Sequence, residues 1–357
     1  NDFKSDNWWW NQIGTPNRLI RSLILLDPIL NGQQRKAGTR IVARANLDAW
    51  GARPGGDLIF IAGIMAFRAV FENDQEMMRE AVNAMAGEIR ISTDRGLQPD
   101  MSFHHRTDRV ISTLAYGGHY PHNFATWAVR LRETKFAFPQ EPFSLLIDYY
   151  LDGICRSLAH GTYNDPGAMN RGLTRQTALK PRSAHVPRAL LQCTDYRAEE
   201  LERIVAIRDG RREPALISNT FFWRSEYLTH QRPQYFASVR MYSNRNRNVE
   251  KPYNGEGLKN HHLADGANFI TRTGEEYVGI FPAFDWQKIP GTTVVQKPKL
   301  ARGQGVVQRG RTSFVGGASD GVYGAAAFDF ESPHDPLRAR KAWFFFDDAY
   351  RCLGAGI

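Results

Sequence analysis

ISNTFFWRSEYLTHQRPQYFASVRMYSN, residues Ile217 to Asn244, is where the chain changes its period. Aromatic and β-branched residues come here in short alternating runs broken by Arg-Pro-Gln, which is the pattern of paired strands. Upstream the apolar residues recur at helical spacing, as in RLIRSLILLDPIL (18–30), LIFIAGIMAFRAVF (58–71), EMMREAVNAMAGEI (76–89), FSLLIDYYLDGICRSLAHG (143–161) and RAEELERIVAIRDG (197–210). Downstream, HLADGANFIT (262–271), EEYVGIFPAF (275–284), TSFVGGASDGVYGAAAFDF (312–330) and KAWFFFDDAY (341–350) are short apolar runs set among glycine-rich turns. Helices followed by strands predict an α+β multidomain protein with two segregated domains, 1–213 helical and 214–357 antiparallel β-sheet, rather than an interleaved βαβ fold.

The balance of 42% apolar and 23% charged residues over 357 positions is that of a globular protein, long enough for two cores. No stretch approaches the ~20 apolar residues of a membrane helix, and Leu58–Val70 reads as a buried helix instead. A formal charge of +9 predicts attraction to polyanions, nucleic acid and acidic polysaccharide alike. Cys155, Cys193 and Cys352 fit no metal or redox spacing and read as buried small hydrophobes. The termini, NDFKSDNWWW and FFFDDAYRCLGAGI, look like cuts within a longer protein.

Three segments gather chemistry. NWWWNQIGTP sets Trp8, Trp9 and Trp10 in a row, and consecutive helical residues point about 100° apart, so at least one indole faces a surface where it can stack on a sugar. DMSFHHRTDRVISTLAYGGHYPHN crowds His104, His105, Arg106, Tyr116 and His119 together. It lacks HExxH spacing or a nearby cysteine, which argues against a zinc centre. NRGLTR places Arg171 and Arg175 four apart, on one face of a helical turn or on an extended loop, either as a solvated face or as a fork for a carboxylate or sulfate. Basic and aromatic residues interleave again from Arg240 to Trp286, but no nucleic-acid motif frames them.

Taken in order, NWWWNQIGTP, GLQPDMSF with AYG, NRGLTR, FFWRSEYLTHQRPQYFASVRMYSNR, NGEGLKNHHLADGA, DWQKIPGTT, SDGVYGAAAF and KAWFFFDDAYRCLGAGI resemble polysaccharide lyase family 8, the chondroitin AC, hyaluronate and xanthan lyases, with the chondroitin AC type nearest. The resemblance covers nearly the whole chain. It implies an N-terminal incomplete (α/α) toroid, shortened at its start, followed by an antiparallel β-sandwich (supersandwich) domain shortened at its end.

The resemblance further implies β-elimination on a uronate-containing glycosaminoglycan, secretion or a periplasmic location, and action as a monomer without nucleic acid or membrane. No cofactor is required, and a structural calcium is compatible with it. Tyr116 matches the tyrosine that acts as base and then acid, Arg171 and Arg175 the paired arginines, and Glu250 and Asn254 polar residues of the cleft. Trp8 and Trp9 match the aromatic platform, and Trp286 of DWQKIPGTT joins the substrate-binding set.

Two departures stand out. Asp57 of GGD replaces an asparagine expected to meet the uronate carboxylate, and the catalytic histidine is displaced. Arg106 falls at its aligned position, so His105 is expected to serve, with His104 in reserve. The arginines are expected to favour a tyrosinate at Tyr116, since nearby positive charge stabilises an anion. Two other classes compete: a non-catalytic glycan-binding protein of lyase descent, and an α/α glycoside hydrolase working through a carboxylate pair.

Overall fold

The computed structural model describes residues 4–357. Helices occupy the first part and antiparallel sheets the second, as the change of period at Ile217 predicts. Backbone packing divides the chain into two compact units, one comprising the residues up to Arg90, His119–Ile147 and Ala189–Tyr196, the other Ile91–Gly118, Asp148–Arg188 and Arg197–Ile357.

The first unit is helical. Its helices are α1 (Thr15–Leu26), α2 (Gly32–Val42), α3 (Gly56–Glu72), α4 (Gln75–Glu88) and α5 (His119–Leu131), together with nearly all of α6 (Gln140–Asp148). Their ends are set by local chemistry. Pro16 opens α1, and Asn31 with Gln34 forms a reciprocal capping box on α2. Asp74 accepts from the Met77 backbone N–H at 2.9 Å to start α4, and Asn73 ends α3 in the left-handed region at φ 56°. α3, which contains the run from Leu58 to Val70, packs on α1, α4 and α5 and buries nine residues, Gly63 among them. Gly63 lets it approach α5, since a Cβ there would lie 2.5 Å from Trp127 Nε1.

The second unit holds the sheets. Two-residue strands pair as β1 (Gly96–Leu97) with β2 (Phe103–His104), and β3 (Leu158–Ala159) with β4 (Tyr163–Asn164). A π-helical segment, Tyr149–Cys155, follows α6, and α7 (His185–Leu191), whose last turn belongs to the first unit, and α8 (Ala198–Arg208) come before the first long strand. One four-stranded sheet runs in the order β5 (Ser218–Phe222), β6 (Tyr227–Arg232), β7 (Tyr235–Arg240), β8 (Ala267–Thr271). The other runs β9 (Val315–Ser319), β10 (Gly324–Glu331), β11 (Arg338–Phe345), β12 (Tyr350–Ala355), and every pairing in both is antiparallel.

Leu228 and Val239 from the first sheet, with Met241 just past β7, meet Phe328, Phe330, Trp343 and Phe345 from the second in one core. β11 alternates exposed and buried, the pattern of a strand with one face on a core. β6 and β7 are buried on both faces, which draws Thr229, His230, Gln231, Ser238 and Arg240 inside.

Burial of such polar groups is tolerable only with partners. Arg240 donates to the carbonyls of Gly167 (2.7 Å) and Asn248 (2.9 Å) and to Asn170 Oδ1 (2.7 Å). Asp165 accepts from Tyr227 Oη (2.7 Å) and Ser238 Oγ (2.9 Å), and burial lifts its carboxyl to about 7. The cysteines divide: Cys155 is buried as expected, Cys193 is half-buried, and Cys352 on the edge strand β12 is exposed, contrary to its reading as a core residue.

Candidate functional site

Within the second unit a tyrosine, two arginines and two glutamates converge. Tyr116 opens a 3-10 turn, Tyr116–Gly118, whose shape depends on the residue after it. A Cβ on Gly117 would fall 2.2 Å from Tyr149 Oη and 2.8 Å from the Phe103 side chain, so only glycine lets the turn sit there. Arg171 stands on a second 3-10 turn, Asn170–Thr174, which Arg175 terminates. Asn170 adopts φ 50° and anchors that turn to β7 through Arg240.

Arg171 is 7% exposed, and each of its nitrogens has its own acceptor. Nε donates to Glu250 Oε1 at 2.9 Å, Nη1 to Glu256 Oε2 at 2.8 Å, and Nη2 to the Tyr116 hydroxyl. Glu256 also takes Arg175, through Nε at 2.6 Å and Nη2 at 2.8 Å, and so bridges both arginines. It rides on a tight loop in which Tyr253 and Glu256 exchange backbone hydrogen bonds. Gly257, at φ 74°, passes against Arg171, where a Cβ would be 2.9 Å from Arg171 Cβ.

The electrostatics correct one expectation. Tyr116 is held above the usual tyrosine range, first by burial and next by the Glu250 charge, and Arg171 and Arg106 offset this only in part. The arginines therefore do not make a resting tyrosinate, because their charge is already shared with carboxylates. Burial likewise raises Glu250 against the pull of Arg171, while Glu256 is lowered by its hydrogen bond to Arg175.

Of the three histidine-region candidates, His105 lies with its ring stacked on Tyr116, centroids 3.6 Å apart and planes 3° from parallel. His104 is fully buried on β2, contacts Ser225 Oγ at 3.0 Å, and is depressed to about 3, chiefly by burial. Arg106 is exposed, and its charge reaches both Tyr116 and Glu250. Asn254 sits exposed at the tip of the Glu256 loop with φ 55°. Trp286 is mostly buried against Phe281, with ring centroids at 5.6 Å.

The remaining candidates lie in the helical unit. Trp8 meets Trp50 edge-on at 4.9 Å under Arg53, and Trp9 and Trp10 are about one-third exposed. Asp57 lies in the first turn of α3, where the helix dipole favours a carboxylate whatever its partner.

Glu256 and Tyr253 were not singled out from sequence. Glu256 does lie in the family-like stretch NGEGLKNHHLADGA, but an acidic residue between two glycines reads as an ordinary turn.

Among the described residues no three His, Cys, Asp or Glu side chains are arranged to hold a metal ion. The rings of His261, His262 and His334 come within 5.5–6.2 Å of one another, but His262 Nδ1 is bonded to Asp265 at 2.8 Å and His261 Nε2 faces the Gln304 carbonyl at 3.0 Å. Among the described residues no helix is long and apolar enough to cross a membrane.

Comparison with known proteins bears on this arrangement. Residues 1–204 match the N terminal alpha-helical domain of polysaccharide lyase family 8, and residues 217–357 match its super-sandwich domain. The chain is 32% identical to chondroitinase-AC of Pedobacter heparinus over its full length, covering 51% of that protein. A solved chondroitinase AC lyase, studied as oligosaccharide complexes, superposes with a TM-score of 0.88 at 30% identity, over 99% of this chain and 53% of the other. The Streptomyces coelicolor chondroitin AC lyase, solved with chondroitin sulphate, shares the fold with a TM-score of 0.82 at 24% identity, over 99% and 55%. The chain thus spans about half the length of the relatives it matches.

Proposed function

The chain belongs to polysaccharide lyase family 8, and from that premise we propose that it cleaves a uronate-containing glycosaminoglycan, chondroitin sulfate or hyaluronan in type, by β-elimination. The observation that carries the reading is the single guanidinium of Arg171 shared by Tyr116, Glu250 and Glu256.

Removing the C5 proton of a uronate builds negative charge on its carboxylate, so the site has to answer that charge as it forms. Tyr116 first loses its phenolic proton to solvent, against the upward pull of burial and Glu250, and as phenolate takes the C5 proton. The C4–O4 bond then breaks, a C4–C5 double bond forms, and the same hydroxyl returns a proton to the departing oxygen. No water is consumed. Arg171 holds the tyrosine oxygen by a charge-assisted hydrogen bond, which supports the anion when it appears. Arg175, more than half exposed, is open to a substrate carboxylate. His105, stacked on the tyrosine ring, is the histidine in position to act with it. Asn254, Trp286, Trp8 and Trp9 are assigned to substrate contact on the strength of the family pattern.

A polymeric polyanion does not cross a bilayer, so the proposal includes a secreted or periplasmic location. It also keeps the division between helical and sheet domains near residues 213 and 214.

Incubation with chondroitin sulfate, hyaluronan, dermatan sulfate, heparosan, alginate and xanthan tests the reading. Ultraviolet absorbance of an unsaturated uronate is expected with at least one polymer, and Tyr116→Phe is expected to reduce it by ~10³-fold, the scale of lost acid–base catalysis. New reducing ends without absorbance would mean hydrolysis. A polymer bound but uncut would leave a glycan-binding protein.

A further inference from the structure

Beside the arginine pair lies a second feature that the elimination chemistry does not use. A cavity of roughly 260 Å³ opens between Thr174, at the end of the Arg171 turn, and Gly255 and Gly257, which flank Glu256. Phe281 and Trp286, with their rings stacked, line it, and so do Lys259 and Arg302. The volume is below the ~300–1,000 Å³ of a pocket for a whole drug-sized ligand, so it suits one sugar and its substituent.

The charges decide what that substituent is. Arg171 and Arg175 give their hydrogen bonds to Glu250 and Glu256, so their charge is largely matched before any substrate arrives. Lys259 and Arg302 are exposed, and among the described residues neither is within ion-pair distance of a carboxylate. Asp285 feels the Lys259 charge but is engaged by the Gln287 backbone N–H at 3.0 Å and by Lys288 at 3.3 Å. Unmatched positive charge therefore stands in the cavity lining, together with two stacked aromatic rings.

We infer that this cavity is a subsite for a sulfate ester on the hexosamine next to the uronate, with the sugar against Trp286 and the sulfate between Lys259 and Arg302. The inference rests on the lyase reading for the identity of the polymer, but not for the existence of the anion site. Arginine presents a planar fork to a sulfate and lysine a point charge, so the two can divide its three oxygens.

Binding by Tyr116→Phe protein, measured by calorimetry, separates the two ideas because it needs no turnover. The ligands are size-matched oligosaccharides of chondroitin sulfate, chemically desulfated chondroitin and hyaluronan. Sulfated chains are expected to bind about tenfold more tightly than either unsulfated chain, the scale of one charge-assisted contact. Adding Lys259→Ala and Arg302→Ala is expected to abolish that preference while leaving affinity for hyaluronan within about twofold. Both side chains are exposed, so the fold should survive, and an unchanged melting curve checks this.

Equal weakening toward sulfated and unsulfated chains would mean that the pocket reads carboxylate, or charge in general, and would overturn the inference. So would a sulfate preference that persists in the triple variant. If wild-type protein cuts no polymer yet shows the preference, the lyase reading fails and the subsite stands. If it cuts both polymers equally and shows no preference, the reverse holds.

Discussion

Arg171 meets three different partners through three nitrogens, and the chemistry at Tyr116 depends on how the charge among them is divided. Glu250 is the largest charged influence raising Tyr116, so neutralising it should bring the phenol down. If the rate follows the phenolate, the acid limb of the kcat/KM profile of Glu250→Gln should move to lower pH even though kcat falls. A limb that stays in place in a pH–rate series would remove Tyr116 as the group that limits it. Tyr116, Arg171 and Arg175 were legible because AYG and NRGLTR are recognisable motifs, and Glu250 because it lies between two more of them, FFWRSEYLTHQRPQYFASVRMYSNR and NGEGLKNHHLADGA. Glu256 was not, because what sets it apart is a contact with arginines about 80 residues away in the chain. Nor could residue type alone show that burial and the Glu250 charge outweigh the arginines at Tyr116.

The elements that carry these residues are short and set by contact rather than by propensity. The 3-10 turn at Tyr116 exists because Gly117 admits Tyr149 and Phe103. Gly117→Ala should lower stability by ~1–3 kcal/mol, the cost of overpacking a filled core. Because the nearest obstacle is the Tyr149 hydroxyl, adding Tyr149→Phe should recover part of that loss, and additive losses in a denaturant double-mutant cycle would contradict the packing account. Such turns escape a periodicity reading. The same is true of the π-helical segment Tyr149–Cys155, where a Cβ on Gly153 would lie 2.2 Å from the Met101 carbonyl oxygen. α3 and the paired strands β6 and β7 were legible for the opposite reason, since their periods are long enough to register.

Across the molecule, the change of period near Ile217 located the passage from helices to sheets, because burial of one face imprints itself on every third and fourth residue of a helix and every second residue of a strand. Buried polar groups leave no such imprint, and Asp165 is the case with a measurable effect. Its carboxyl is ordinary when unfolded and lifted to about 7 when folded. Its contribution to stability is therefore complete below about pH 4 and is lost as pH rises through about 7, by up to ~4 kcal/mol for a shift of this size. Asp165→Asn should flatten that fall in urea titrations between pH 4 and 8, and an unchanged slope would assign it to other groups.

Arg240 reaches from β7 to the Asn170 turn that presents Arg171, so the sheet is the mounting on which the site is held. For anyone storing or heating the protein, shelf life and sheet integrity become the same quantity: loss of the Arg171–Tyr116 cluster should overlay the melting of β5–β8, with no interval in which the strands persist and the cluster has gone.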